Sequence, residues 1–100
     1  MKLWVDDVRI CPNNDYFWAV SVNQAINLIE FTEKLHQYIE LIDIDHDAGD
    51  YAKAGGDYIK LLDWLEETGR NYPIRIHSMN PVGIENMRRI IKRNGWTEVM

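Results

Sequence analysis

The sequence predicts the α/β class, an open three-layer parallel sheet of four or five strands. Two observations lead there. Short apolar runs are separated by longer amphipathic stretches of helical period, with capping residues and glycines at their ends. Strands joined through helices of this length are parallel crossovers, and a strand buried on both faces reads as an unbroken apolar run.

Lys2 to Val5 is the first strand, and acids follow it at once. The loop RICPNND carries the turn formers Pro12, Asn13, Asn14 and Asp15, and YFWAVSV after it is aromatic and β-branched enough for a second strand. Alternation is broken here, because a loop and no helix joins the first two strands. Ser21 and Gln24 have the spacing of a capping box, and Val22, Ala25, Ile26 and Ile29 share a stripe, so a helix should run to about Gln37. The third strand is YIELIDID. Beyond a glycine-bearing loop, Asp57 is placed to cap a helix with Tyr58, Leu61, Leu62 and Leu65 inward and Gly69 at its end. Pro73 precedes IRIHS, the fourth strand. Asn80 caps and Pro81 opens a last helix, with Ile84, Met87 and Ile91 inward and Gly95 as its stop. WTEVM is a short fifth strand or a tail.

One hundred residues at 46% hydrophobic fit one domain, residues 1–100, with a real core. A formal charge of -5 argues against coating nucleic acid by bulk electrostatics, though a local basic patch can still contact phosphates. The single cysteine, Cys11, allows neither an internal disulfide nor a thiolate metal site and suits a reducing cytoplasm. No apolar signal region opens the chain, and no apolar run approaches the roughly 20 residues of a membrane span. The expectation is a cytoplasmic protein with no membrane partner.

In open parallel sheets the ligand sits beyond the carboxyl ends of the strands. The first strand ends in Asp6 and Asp7, the third in Asp45, His46 and Asp47, and the fourth in His77, Ser78 and Asn80. Crowded carboxylates call for a cation, and oxygen donors from Asp6, Asp7 and Asp45 suit Mg²⁺ or Mn²⁺. The imidazoles of His46 and His77 also admit a softer ion such as Zn²⁺. Ser78 and Asn80 stand just before a helix N-terminus, where an anion is favoured. Together these describe a phosphate site, and two histidines make hydrolysis or transfer more plausible than binding alone. Plainer readings stand beside these: a polar strand end for Asp6 and Asp7, a core histidine for His77, and a structural acceptor for Asp43, which shares a strand face with Asp45. His36 reads as solvated. Arg88, Arg89, Lys92 and Arg93 favour the negative end of their own helix over RNA.

Taken together, LWVDDVR, DIDHDAG, GGDYIKLLDWL and HSMNPVGIENM resemble the cyclic-phosphate processing receiver-like family, small domains related to response-regulator receivers and associated with RNA repair systems. The resemblance covers nearly the whole chain and implies a flavodoxin-like parallel sheet. It places the receiver acidic pair on Asp6 and Asp7, the phospho-acceptor position on Asp45 and the small hydroxyl residue on Ser78, while His46, Asp47, His77 and Asn80 match what sets the family apart. An ordinary receiver has a helix after its first strand and a lysine at the end of a fifth, and this chain has neither. The expected function is therefore that of a metal-assisted cyclic phosphodiesterase, a hydrolase acting on cyclic phosphate ends of RNA or small nucleotides. In it Asp6, Asp7 and Asp45 hold the ion, His46, His77 and Asp45 are catalytic, and Ser78, Asn80 and Asp47 bind substrate. The alternatives are a non-catalytic nucleotide- or phosphate-binding module and, third, a true receiver phosphorylated on Asp45.

Overall fold

The computed structural model describes residues 1–100. Four strands form one parallel sheet: β1, Lys2–Val5; β2, Tyr16–Ala19; β3, Leu41–Ile44; and β4, Ile74–Ile76, in the order β2-β1-β3-β4. The helices are α1, Val22–Lys34; α2, Ile59–Glu67; and α3, Pro81–Asn94, with a short 3-10 helix at Gly49–Lys53. The fifth strand is reduced to one bridge, Glu98 pairing with Ile74.

Register sorts the side chains. Leu3 pairs with Ile42 and Val5 with Ile44, and these in turn pair with Ile74 and Ile76. That face joins Val22, Ala25 and Ile29 of α1, Leu61, Leu62 and Leu65 of α2, and Met87, Ile90 and Ile91 of α3 in a single buried cluster. The alternate residues Trp4, Asp43 and Arg75 fall on the opposite face. No helix stands there, since the missing connection is the one that would supply it. The third layer is instead the β1–β2 segment, tied down by Trp4 Nε1 donating to Arg9 O at 2.8 Å and Trp18 Nε1 donating to Asp6 O at 2.7 Å.

Most of the helix signals perform as read. Ser21 Oγ accepts from Gln24 N at 3.1 Å, while the Gln24 side chain accepts from Val20 N, one residue short of a true capping box. Asn80 caps α3 through Gly83 N, and Gly95 ends it in a left-handed conformation (φ 67°). Other boundaries shift. Helix α1 stops at Lys34, and the chain reverses through His36 (φ 55°). β3 begins at Leu41, leaving Tyr38 exposed. Asp57 does not cap α2, because its carboxylate accepts from Ala48 N at 3.0 Å and closes the loop instead. In α3 the inward set is Gly83, Met87, Ile90 and Ile91, with Ile84 only half-buried.

One polar clamp fixes the end of α1. Arg70 donates to both oxygens of Glu33 at 2.8 and 2.9 Å, Tyr72 Oη donates to the same carboxylate, and the Arg70 guanidinium lies 4.2 Å from the Trp64 ring centre. The Arg70 bonds, with the Tyr72 hydroxyl, hold the Glu33 carboxyl below its ordinary value against the opposing effect of burial. Burial and the Glu33 charge push the Tyr72 hydroxyl up to about 12. A depressed carboxyl stabilises the fold above its unfolded value of 4.5, and that contribution is lost as pH falls through the folded value. Glu33→Gln should therefore be less stable than the parent by roughly 1 kcal/mol at pH 7 and converge with it in acid. Denaturant melts across pH test this, and a pH-independent difference would refute the clamp.

Candidate active site

The carboxyl ends of β1, β3 and β4 meet at one edge of the sheet. One oxygen each from Asp6, Asp7 and Asp45 lies within 4.8 Å of the other two. Asp6 is fully buried: Oδ1 accepts from Val8 N at 2.9 Å and Arg9 N at 3.1 Å, and Oδ2 lies 2.9 Å from His77 Nε2. Burial alone would raise its carboxyl, but these bonds and the histidine hold it below the ordinary value. Asp7 goes the other way, pushed up by burial and by the charges of Asp6 and Asp45. Asp45 Oδ1 accepts from His46 N at 2.7 Å. Three carboxylate oxygens this close together are a donor set that would suit a hard divalent cation.

His77 departs from the expected role. Its Nδ1 lies 2.6 Å from Asp43 Oδ1, its Nε2 faces Asp6, and its ring stacks on Trp4 with centres 3.8 Å apart. The side chain is 9% exposed, and both nitrogens are occupied by carboxylates. Such an imidazole bridges two buried acids and has no nitrogen left for a ligand, so the structure gives it a positioning role in place of the expected proton transfer. Asp43 completes the chain: its Oδ2 accepts from Arg75 Nη1 at 3.1 Å and Tyr16 Oη at 3.2 Å.

The second histidine keeps a nitrogen free. His46 Nδ1 lies 2.8 Å from Asp47 Oδ1, and Nε2 makes no hydrogen bond within the protein. Asp47 thus orients His46, and its side chain remains exposed at the rim. Asn80 spends Oδ1 on the helix cap and leans Nδ2 toward Asp47 at 3.4 Å; Ser78 Oγ accepts from Asn80 N at 3.1 Å. Both side chains shape the α3 N-terminus before either meets an anion. The histidine fits because residue 83 is glycine: a Cβ there would overlap the His46 ring. A glycine inside a helix costs about 1 kcal/mol against alanine, which is the signal that could have singled it out. Gly49, at φ 55°, similarly brings its backbone against Asp7, where a Cβ would sit 2.5 Å from Oδ2.

With this geometry established, the comparison is direct: the family model for the cyclic-phosphate processing receiver domain matches residues 1–93. The chain belongs to that family. No curated protein and no solved structure matches it. As a receiver domain it has the four-stranded parallel sheet and one-sided helices described above, and no helix is long and apolar enough to cross a membrane.

Removing the bridge strips one contact from each of two buried acids, leaving Asp6 to the Val8 and Arg9 amides and Asp43 to Arg75 and Tyr16. His77→Ala in this receiver domain is expected to lose roughly 3 to 5 kcal/mol of stability, a cost measurable by urea unfolding. A variant as stable as the parent would refute the bridging role.

Proposed function

We propose that this receiver domain is a phosphoesterase that opens cyclic phosphate ends of RNA or small nucleotides. The observation that carries the reading is the meeting, at one sheet edge, of three carboxylates suited to Mg²⁺ or Mn²⁺ with a histidine that has one nitrogen held by Asp47 and the other free. Asp6, Asp7 and Asp45 would hold the ion, which when bound polarises a phosphoryl oxygen. A proton on Nδ1 donated to Asp47 leaves the lone pair of His46 on Nε2, where it accepts a proton from the attacking water. The water oxygen forms a bond to phosphorus as one ring P–O bond breaks; the departing oxygen takes a proton from solvent, and His46 returns its own. The backbone amides that open α3 face the developing negative charge, with Ser78 beside them.

One observation favours a second reading, a non-catalytic nucleotide- or phosphate-binding module. The one cavity in the fold is an apolar hollow lined by Met1, Phe17, Leu28 and Phe31, away from the acids, so the site is an open edge that does not enclose a substrate.

Two experiments separate these readings. Incubation with 2',3'-cyclic nucleotides and Mn²⁺ should yield a nucleoside monophosphate, and His46→Ala should slow this roughly 10²- to 10⁴-fold per folded molecule. Binding without product would favour the module. In the second, Mn²⁺ at about 100 times its Kd should raise the Tm by on the order of 10 °C. Asp7→Asn should abolish that rise while leaving the metal-free protein at least as stable, because the substitution relieves the like charge that pushes Asp7 up. An Asp7→Asn protein that responds to Mn²⁺ as the parent does would exclude Asp7 as a ligand.

A further inference from the structure

The β1–β2 segment and edge strand β2 place an aromatic ring and a cation beside the acids, and neither has a part in the chemistry above. Trp18 pairs with Trp4 in register, so its indole lies on the sheet face that no helix covers, and it is 37% exposed. Its Nε1 donates to Asp6 O at 2.7 Å, which fixes the ring next to the carboxylate cluster. Arg9 is exposed; its backbone N donates to Asp6 Oδ1 and its Nη1 to His77 O at 3.1 Å, and no carboxylate lies within 4 Å of the guanidinium. In a protein of charge -5, an arginine beside three acids that pairs with none of them is complementary to an anion brought from outside. The flanking Val8 and Ile10 are 76% and 77% exposed, so this face is apolar as well as cationic.

We propose that Trp18 stacks on a nucleobase and Arg9 contacts the phosphate of the same nucleotide, so that the site takes a nucleoside cyclic phosphate in preference to a base-free phosphoester. This rests on the reading of the acid cluster as a cyclic-phosphate site and adds the residues that would recognise the base and the phosphate. The indole hydrogen bond holds the ring before any ligand arrives, which lowers the entropy lost on stacking, and every base offers a π-face to it.

The test titrates adenosine 2',3'-cyclic phosphate and ethylene phosphate, the same five-membered ring without ribose or base, into the protein with Mn²⁺ by calorimetry, before measurable turnover. The parent should bind the nucleotide more tightly. Trp18→Ala should weaken nucleotide binding roughly 10-fold with ethylene phosphate unchanged, and Trp18→Phe, which keeps a ring but loses the N–H, should retain most of the preference. Arg9→Ala should weaken both probes. A parent that binds the two equally, or a Trp18→Ala protein that loses both in proportion, would overturn the stacking role. Binding of ethylene phosphate without discrimination rejects this inference alone, whereas binding of neither probe rejects it together with the cyclic-phosphate reading.

Discussion

Two carboxylates with no exposed surface, Asp6 and Asp43, stand on or beside central strands of the sheet, and the fold depends on the imidazole set between them. An isolated buried carboxylate is costly, and two would oppose folding outright. His77 meets each with one nitrogen, so the pair of contacts needs two hydrogens among three groups. Arg75 and Tyr16 share the remaining charge on Asp43, and the Val8 and Arg9 amides share that on Asp6. Every buried polar side-chain atom has a partner. The network also crosses the sheet: it begins at the acid cluster and ends on the open face, so the position of Asp6 is set by residues of β2, β3 and β4 as well as by its own strand.

The open face follows from one topological omission. With no helix between β1 and β2, the second face is covered by the β1–β2 segment alone, and it carries Asp43 and Arg75 beside Trp4. Trp4 is buried there, with His77 stacked on it, Tyr16 meeting its ring edge-on at 5.7 Å and its Nε1 held by Arg9 O. The same omission lets the β1–β2 segment, short and irregular, deliver Arg9 and Trp18 to the rim of the site. A helix spanning this connection would have placed its own side chains over that rim.

Much of the framework was legible in the residues. Short apolar or aromatic runs bounded by acids, turn formers or proline located all four strands, and Ser21, Asn80, Pro81 and Gly95 located helix ends, because these signals act over three or four residues. The convergence of Asp6, Asp7 and Asp45 was legible too, since parallel strands bring their carboxyl ends to one edge. What was not legible depended on contacts between distant stretches. His77 was open to either a proton-transfer or a core-histidine reading until its two partners, 34 and 71 residues away, were known. Asp57 had the position of a helix cap, yet Ala48 N competed for its oxygen across the loop. Gly83 stands out only as a glycine inside a helix, and its purpose is visible in the His46 ring against it. Element ends moved for a local reason: Tyr38 to Glu40 have strand-like composition but no neighbouring strand to pair with, so β3 starts where β1 does.

The acids at the rim are not equivalent, and their difference is itself informative. Asp6 is saturated with donors, held below its ordinary value, and built into the network that the sheet requires. Asp7, the next residue, is pushed up by burial and by its neighbours, with the Gly49 backbone against it. Adjacent carboxyls driven in opposite directions mark a division of labour. The one that stabilises the fold supplies a fixed point, and the one that costs stability has most to gain from an external positive charge. A cation placed at this edge would lower the Asp7 carboxyl and act less on Asp6, whose oxygens are already held by the Val8 and Arg9 amides and by His77.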